Sequence, residues 1–580
     1  AINNGIDLDG EGGLTWFKTR PQGNHNLMDT ERGNTKYLRS NTGAAEGTNT
    51  NYLTSFNSNG FTLGNSGTLN GTQDYVSWTF RKAPKFFDCV TWTGNNASNR
   101  AISHNLDCVP GMIIVARRNA GEDWGVWHKD VHENTSKVLY LNQTVALATS
   151  TQIFGASNPT DANFYVGEHP VSNNDGDSYV AYLFAHNNND GEFGPDSDQD
   201  IIKCGTIDGN QTVDLGFEPQ WVMIKRYDAA GNWYMLDTMR GMPVGSDNAN
   251  MYANRNNAEA AGGEVVRILP NGLQSVVSAN HIYMAIRRGP LAPPEAATEV
   301  FKPLTYTASG QAGNKQTTGF PVDLAIFNIA GSDDPDWTHG LVSRLTGGLK
   351  YLSTNSTAAE ASVGSSGVNF DDMTGYDFEA TPFNNNGAMY NLNWKRAPGY
   401  FDVVCYTGNG SASRTVSHNL GVAPEMMWVK CRSATESWAV YHKKFGGTHF
   451  ARLNQTGAFE SNGNVWDNTD TTASVFTVDT DTEVNTNGQT YIAYLFASVA
   501  GISKVGSVSH SGTTNVDCGF SNGARFVILK RTDATGDWYA WNSATGIIAG
   551  NDPYRLLNTT AGQVTNTDFI DPLNAGFTIS

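Results

Sequence analysis

Four tryptophans are the residues whose type and spacing most directly suggest chemistry in this sequence. Each follows a short turn after an apolar segment, and the segment recurs along the chain about every 100 residues. A tryptophan ring can stack on the apolar face of a sugar, and it supplies a large contact area. The repeated position therefore predicts a multivalent carbohydrate-binding surface, unless each ring packs under its own hairpin. The four residues are Trp124, Trp233, Trp438 and Trp538.

Runs of acidic residues suggest a second kind of site. Asp196, Asp198 and Asp200 alternate with other residues between two repeats, and such carboxylates can supply oxygen ligands to Ca²⁺. Neither this run nor a second one matches a full EF-hand loop or recurs in every repeat, so a solvated linker is the competing interpretation. Ca²⁺ is the one cofactor that the sequence suggests. The second run consists of Asp479, Asp481 and Glu483.

Histidines occupy equivalent places in the two halves of the chain. His104 and His418 lie in the motif SHNL, and His128 and His442 end a predicted hairpin. A histidine can act as a base or a metal ligand, but no Ser, Cys or carboxylate recurs beside these at a suggestive spacing. Hydrogen bonding at strand ends is the alternative role. Since the sequence also has no GxSxG, HExxH, P-loop or Rossmann fingerprint, it predicts a protein that is not an enzyme.

A β-hairpin is the element that must position the tryptophans. In the segment 216–237, GFEPQWVMIKRYDAAGNWYMLD, two apolar runs flank a turn that contains glycine. The same pattern recurs as MIIVARRNAGEDWGVWH from residue 112, MMWVKCRSATESWAVYH from 426 and FVILKRTDATGDWYAWN from 526. Weaker copies begin at residues 14 and 324, and in the second of these Trp337 takes the place of the repeated tryptophan.

Two further markers turn the repeated hairpin into a repeated module. An opening strand, such as DIIKCGTIDGN at 200, precedes most copies, and a closing strand, such as YVAYLF at 179, follows them. A longer repeat is superimposed, because KAPKFFD at 82 matches RAPGYFD at 396. The sequence therefore predicts six modules arranged as two A-B-C triplets. Their ranges are 1–82, 83–196, 197–298, 299–397, 398–498 and 499–580.

Composition fixes the fold class and excludes some partners. Charged residues make up 16% of the chain and 61 positions are glycine. Short alternating strands between Gly- and Asn-rich turns predict an all-β chain, a tandem array of antiparallel β-sandwiches that each touch mainly their sequence neighbours. The formal net charge of −18 argues against nucleic acid. No run of 18 apolar residues is present, so membrane insertion is not expected.

The modules at the two ends are incomplete. The first has no opening strand, and the sixth has an opening segment, GISKVGSVSHSG at 501, without the closing strand expected about 65 residues after its hairpin begins. An open sheet edge of this kind invites pairing with other strands. We interpret the sequence as a window from a longer array.

A family resemblance covers essentially the whole chain. The segments LTWFKTR, KYLRSNT, LTSFNSNGFTLG, YVSWTFRKAPKFFDCVTWTGN, YVAYLFAHNNNDGEFG and GNWYMLDTMRG, taken together, resemble a repeat family of tailed phages that infect marine bacteria and cyanobacteria. Members are virion proteins, described as tail fibre or structural proteins, and their modules resemble concanavalin-type lectin sandwiches with a jelly-roll fold. The chain departs from the pattern in modules one and four, where NHNLMD and LAIFNIA replace the usual residues.

The resemblance implies a non-enzymatic fibre or appendage protein that attaches to glycans of the host surface. It further implies other virion proteins, host polysaccharide and further copies of the chain as partners. Such a protein would fold in the host cytoplasm and function in the virion. A decoration or stalk protein without a receptor role is one alternative. A bacterial surface adhesin or carbohydrate-binding array is another.

Overall fold

The protein consists almost entirely of β-structure. The computed structural model describes residues 1–132, 136–329, 339–365, 367–379, 383 and 387–580. Strands account for 41% of it and helices for 3%, which confirms the all-β prediction. In this described part of the chain, no helix combines the length and the apolar character needed to cross a bilayer.

The chain forms two compact units, each built from three modules. The first unit comprises 1–237, 247–268 and 272–288, and the second comprises 238–246, 269–271 and 289–580. Each unit thus corresponds to one predicted A-B-C triplet, apart from two short segments of module three that belong to the second unit.

The strands of the first unit divide among its three modules. Module one contains β1 (Ile2–Asn3), β2 (Gly13–Thr19), β3 (Asn26–Asp29), β4 (Lys36–Tyr37), β5 (Gly47–Thr48), β6 (Leu53–Asn57), β7 (Gly60–Leu63) and β8 (Tyr75–Arg81). Module two contains β9 (Phe87–Thr93), β10 (Arg100–Ser103), β11 (Pro110–Arg117), β12 (Gly125–His128), β13 (Lys137–Tyr140), β14 (Ala148–Thr149), β15 (Asn163–Val166) and β16 (Ser178–Ala185). Module three contains β17 (Ile202–Ile207), β18 (Thr212–Asp214), β19 (Pro219–Arg226), β20 (Trp233–Asp237), β21 (Ala249–Tyr252), β22 (Ala260–Ala261), β23 (Val266–Leu269), β24 (Gly272–Ser275) and β25 (His281–Arg287).

The second unit repeats this plan, and its described residues include two 3₁₀ turns and two short α-helices with the following bounds. Module four contains a 3₁₀ turn (Ala297–Glu299), β26 (Phe301–Ala308), β27 (Asn314–Thr317), β28 (Leu324–Ile329), β29 (Gly340–Ser343), β30 (Lys350–Ser353), β31 (Ala361–Ser362), β32 (Val368–Asp372), β33 (Gly375–Phe378) and β34 (Gly387–Trp394). Module five contains β35 (Phe401–Thr407), β36 (Arg414–Ser417), β37 (Met426–Cys431), β38 (Trp438–His442), a 3₁₀ turn (Gly446–Thr448), β39 (His449–Arg452), β40 (Glu460–Ser461), α1 (Gly463–Trp466), β41 (Val475–Val478), α2 (Thr482–Asn485) and β42 (Thr490–Phe496). Module six contains β43 (Thr514–Asp517), β44 (Phe526–Lys530), β45 (Trp538–Asn542), β46 (Tyr554–Leu556), β47 (Ile570–Leu573) and β48 (Gly576–Ile579).

Modules two to five share one topology. Each has a six-stranded antiparallel sheet in which the closing strand lies between the opening strand and the first hairpin strand, as in the order β17-β25-β19-β20-β21-β22 of module three. A smaller sheet of two or three strands accompanies it, for example β18-β24-β23. The prediction of tandem antiparallel β-sandwich modules is therefore confirmed.

The predicted hairpin forms the centre of each large sheet. In module three, β19 and β20 pair with Trp221 opposite Asp237 and Lys225 opposite Trp233. The strand β19 is buried at nearly every position. A strand covered on both faces shows a continuous apolar run rather than strict alternation, which explains the sequence WVMI.

The second covered face of the hairpin belongs to a core that three modules share. In module one, Phe17 packs inside the sandwich, whereas its neighbour Trp16 lies in the shared core. The ring of Phe80 meets Phe87 of module two at 5.8 Å and Trp221 of module three at 5.7 Å between centroids. Since burying one such side chain contributes about 1.5–3 kcal/mol, this shared core is a major source of the unit's stability.

The second unit is assembled in the same way. Trp394 of module four meets Phe526 of module six at 5.5 Å and Phe401 of module five at 6.4 Å. The first module of each unit therefore contacts both other modules. The expectation that each module touches mainly its sequence neighbours is wrong within a unit, because the apolar outer faces of all three large sheets are buried together.

The large sheets of modules one and six have fewer strands than the others. Among the described residues, module one pairs its strands in the order β3-β2-β8, with no opening strand beside β8. Module six pairs β44-β45-β46, and residues 501–510 are not part of any strand. The sheet edges at β8 and β44 therefore lack the neighbour that their counterparts have.

Candidate functional site

The four repeated tryptophans are buried. Trp233 and Trp438 have 0% of their surface exposed, and Trp124 and Trp538 have 2%. A sugar can stack only on a ring whose face is accessible, so these rings offer it no surface in the folded chain. Every tryptophan among the described residues is likewise part of the buried core.

Each of the four rings reaches across to the preceding module. The indole N–H groups all donate to backbone carbonyls there, which places a buried polar contact at every such junction. The hydrogen bonds are Trp124 Nε1 to Thr42 O (3.1 Å), Trp233 Nε1 to Tyr140 O (2.9 Å), Trp438 Nε1 to Ser353 O (2.9 Å) and Trp538 Nε1 to Arg452 O (3.0 Å).

Histidines take the same position in the first module of each unit. In the hairpin of module three, Lys225 pairs with Trp233. Asn328 is the counterpart of Lys225 in module four, and the register of that hairpin places His339 opposite it. Counting back from Asp29 by the same register gives His25 in module one. Trp337, which the sequence suggested for module four, lies outside the described residues, and the register assigns its expected place to His339 instead.

The two histidines close each set of three modules into a ring. His25 Nε2 lies 2.9 Å from Tyr252 O of module three. His339 Nε2 lies 2.9 Å from Leu556 O of module six. In the first unit, module two thus contacts module one, module three contacts module two, and module one contacts module three, each through the same kind of hydrogen bond. Each unit is a closed, pseudo-threefold arrangement of sandwiches.

A main-chain hydrogen bond repeats this cyclic pattern. At five of the junctions, a backbone N–H in the hairpin turn before the tryptophan or histidine donates to a backbone carbonyl of the adjoining module. That carbonyl lies just after the strand that follows the hairpin of the adjoining module. The bonds are Gly23 N to Asn256 O (2.9 Å), Glu122 N to Gly43 O (2.8 Å), Gly231 N to Thr144 O (2.8 Å), Glu436 N to Thr357 O (3.0 Å) and Gly536 N to Thr456 O (2.9 Å). Because backbone contacts recur, the cyclic order does not depend on the identity of one side chain.

An asparagine fixes the main chain at each of these positions. Its side-chain oxygen accepts a hydrogen bond from the backbone N–H of the tryptophan or histidine. The donors and acceptors are His25 and Asn41, Trp124 and Asn142, Trp233 and Asn254, Trp438 and Asn454, and Trp538 and Asn558, at 2.9–3.0 Å. These asparagines are not among the residues predicted from the sequence, although the repeats LNQT at 141 and 453 and LNTT at 557 carry the signal.

Buried charges add to the junction between modules one and two. Arg32 donates to Asp29 at 2.6 Å and to Glu46 at 3.1 Å, and Tyr182 of module two donates to Asp29 at 2.9 Å. Burial acts to lower the pKa of Arg32, but the carboxylates of Asp29 and Glu46 outweigh it and raise that pKa. Removing one member of such a group would leave an uncompensated buried charge.

The three aspartates proposed as calcium ligands do not converge on one point. Asp196 and Asp198 are exposed, whereas Asp200 is buried. The carboxylate of Asp200 accepts hydrogen bonds from the backbone of Asn189 (2.9 Å) and Gly191 (3.0 Å), and it lies 3.3 Å from Lys203 Nζ. Within the described residues, no group of three or more His, Cys, Asp or Glu side chains is placed to hold a metal ion.

We expect calcium to leave the stability of the chain unchanged, because the carboxylate of Asp200 is already engaged by two backbone hydrogen bonds and by Lys203. Asp200 already has its hydrogen-bonding partners in the fold, and a ligand that does not bind the native state cannot raise its melting temperature. Differential scanning fluorimetry with millimolar CaCl₂ or with EGTA should give melting temperatures within about 1 °C of each other. A rise that Asp200→Asn abolishes would instead support the calcium site.

Apart from Asp479, the remaining polar candidates have side-chain contacts within the fold. Asp481 accepts a hydrogen bond from Glu483 N and so caps α2, and Glu483 pairs with Arg452 at 2.6 Å. His104 and His418 each lie 3.2 Å from a backbone carbonyl, of Thr160 and Thr472 respectively. His128 Nε2 lies 3.3 Å from Tyr283 O of module three. The half-buried His442 accepts a hydrogen bond at Nδ1 from the backbone N–H of Lys444, at 3.1 Å. These contacts agree with the hydrogen-bonding role that the sequence left open.

Comparison with known proteins adds a family but no activity. Residues 4–287 and 296–580 each match a family described as Domain of unknown function (DUF7483). Each match spans three of the sandwich modules and nearly coincides with one compact unit. A search of curated proteins finds no match.

Proposed function

The chain belongs to the DUF7483 family, of which it carries two successive copies, and from this premise we propose that it is a non-enzymatic structural protein of a phage fibre or appendage. The burial of the repeated tryptophan at the module junctions is the observation that carries the proposal. A residue that repeats for binding would present its ring to solvent, whereas this one is used to hold adjoining modules together.

Several features of the units suit a role as a rigid spacer. Three sandwiches share one core, and charge pairs reinforce the junctions, for example Arg20 with Glu259 at 2.6 Å and Arg432 with Glu360 at 2.9 Å. The net charge of −18 favours solubility through mutual repulsion. Partners of such a spacer would be other virion proteins and further copies of the chain, and it would act in the virion after folding in the host.

Attachment to host polysaccharide is the second candidate, and it would have to use other residues than the four tryptophans. One observation favours it. In module five, the half-buried rings of Phe445 and Phe459 stack at 4.6 Å, with Lys444 Nζ 5.4 Å from the first ring. Accessible aromatic rings beside a charged group are a chemistry that carbohydrate recognition can use.

Iodide quenching of tryptophan fluorescence tests the structural proposal on the intact chain. Since the described tryptophans are buried, iodide should quench the folded chain much less than the chain unfolded in guanidinium, and host polysaccharide should not alter the quenching. Strong quenching that polysaccharide prevents would contradict the proposal. Gold-labelled antibodies against the chain, applied to purified particles, should in addition decorate an appendage.

A further inference from the structure

A segment of module three forms a docking contact with modules four and five. Residues 238–246 follow the hairpin of module three and belong to the second compact unit. Val244 N donates to Leu345 O of module four at 2.8 Å. Val244 O in turn accepts hydrogen bonds from two nitrogens of Arg432 of module five, at 3.4 Å each. Both backbone groups of one residue are therefore used to hold the segment in place.

The same docking contact includes one apolar residue. Pro243 packs against Gly347 of module four, because a Cβ built on that glycine would lie 3.2 Å from the proline Cβ. Gly347 has a φ of +85°, a conformation that favours glycine, and its lack of a side chain leaves the place that the proline fills. The contact thus consists of one residue held by backbone hydrogen bonds and one apolar residue seated on a glycine.

Module six carries a counterpart of this docking segment. Asp237 ends the hairpin of module three and Asn542 ends that of module six, in the same register. The glycines four residues later, Gly241 and Gly546, have φ values of +127° and +129°. Because the two segments have the same spacing and the same turn, they correspond residue by residue as far as Ala549.

Ile548 and Ala549 take the places of Pro243 and Val244 in this counterpart. Ile548 has 52% of its surface exposed, and Ala549 is exposed as well. Within the described part of the chain, neither the N–H nor the C=O of Ala549 makes a hydrogen bond. The apolar side chain and the two backbone groups that the docking contact requires are therefore present and accessible in module six.

Module one carries a counterpart of the surface that receives the docking segment. Counting from the equivalent hairpins, Glu31 and Gly33 take the places of Leu345 and Gly347. Gly33 has a φ of +89°, and nothing lies within 4 Å of a Cβ built on it. Among the described residues, no hydrogen bond reaches the carbonyl of Glu31. The place that Pro243 fills in the second unit is thus open on module one.

The arginine of the receiving surface is repeated as well. Arg432 pairs with Glu360 through two hydrogen bonds of 2.9 Å, and Arg118 of module two pairs with Glu46 of module one at 2.9 and 3.2 Å. A carboxylate that binds a guanidinium in this bidentate way fixes its orientation. Within the described residues, Nη1 of Arg118 has no acceptor, whereas Nη1 of Arg432 binds Val244 O. Modules one and two therefore present all three parts of the receiving surface.

We propose that residues 546–549 of module six dock on a further DUF7483 unit, at the surface that Glu31 and Gly33 of module one form with Arg118 of module two. A second copy of this chain supplies such a unit. The choice of partner follows from the second unit, where residues 238–246 already make the same contacts. Donor and acceptor are different surfaces, so the contact is heterologous and can repeat from copy to copy. The proposal rests on contacts between modules and does not depend on the appendage role.

Analytical ultracentrifugation of the intact chain tests the proposal. The weight-average mass should rise with concentration, with a dissociation constant of about 100 μM or lower. Ile548→Asp and Gly33→Asn should each raise that constant at least about tenfold, because the first adds a charge at the contact and the second fills the open place. Asparagine tolerates a positive φ, so the turn at Gly33 is retained.

Two control variants alter comparable residues elsewhere in the chain. Met373→Asp changes another exposed apolar side chain, with 51% of its surface exposed. Gly176→Asn changes another glycine with open space around it, at a φ of +74°. Both variants should associate as the original chain does.

A mixture of the two impaired variants provides the decisive test. Ile548→Asp chains keep the receiving surface, and Gly33→Asn chains keep the docking segment. Mixed in equal amounts, they should form one-to-one dimers with the affinity of the original chain and no larger species. A mixture that stays monomeric, or an original chain that does not associate at about 1 mM, would overturn the proposal. Association that neither variant weakens would overturn it as well.

Discussion

Replacing Trp438 by alanine is expected to destabilise the second unit by about 3–5 kcal/mol. The ring is fully buried and stacks on Tyr494 with 6.2 Å between centroids. Its loss leaves a cavity at the junction of modules four and five, and it leaves Ser353 O without the donor that now lies 2.9 Å away. By differential scanning calorimetry of the intact chain, we expect one transition to move down by roughly 5–10 °C.

Two comparisons separate packing from hydrogen bonding in this experiment. Trp438→Phe keeps an aromatic ring but removes the N–H donor, so its cost should be smaller, about 1–3 kcal/mol. The transition of the first unit provides an internal control, because Trp438 lies in the second unit. A Trp438→Ala chain with unchanged stability and reduced polysaccharide binding would refute the assignment of this residue to the module junction.

The sheets and the repeat could be predicted from the sequence because they rest on local patterns. Alternation and turn residues fix a hairpin such as β19–β20, and repetition of that signal about every 100 residues fixes the modules. The uninterrupted apolar run from Trp221 to Ile224 also indicates a strand buried on both faces. It does not indicate what covers the second face.

Ring closure could not be predicted, since it depends on contacts between distant residues whose types differ. His25 and the tryptophans take the same position in the hairpin and make the same contact with an adjoining module. Because their residue types differ, a repeated residue type does not reveal that they are equivalent. The pairing register of the hairpin shows that they are equivalent, because each lies four residues before the residue that pairs near the start of the first hairpin strand. The carboxylates show the opposite case, since Asp200 resembles a cation ligand in sequence, whereas in the fold its oxygens accept hydrogen bonds from the loop at Asn189 and Gly191.

Acid is expected to weaken the second unit through His339. An imidazole in an unfolded chain has a pKa near 6.5, and burial lowers the pKa of His339 to about 3. Between these values the unfolded chain binds a proton that the folded chain does not. The stabilising contribution of the neutral ring is therefore complete above pH 6.5 and is lost as the pH falls toward 3, at about 1.4 kcal/mol per pH unit.

Calorimetry of the intact chain from pH 7.5 to 4.5 measures this effect, with loss of about 2 kcal/mol from this residue at pH 5. His339→Gln removes the titrating group, so the stability of the second unit should depend less steeply on pH. The exposed His510 supplies a matched control, and His510→Gln should leave the dependence as it is. An unchanged pH dependence in His339→Gln would show that protonation of this residue is not coupled to unfolding.

The position of His339 predicts which part of the second unit is affected by acid. The junctions of modules five and six with their preceding modules use the indole groups of Trp438 and Trp538, which do not titrate. At the junction of modules four and six, the residue at this position is His339, whose imidazole contacts Leu556 O. Hydrogen exchange at pH 5 should therefore increase in the strands that adjoin His339 and Leu556.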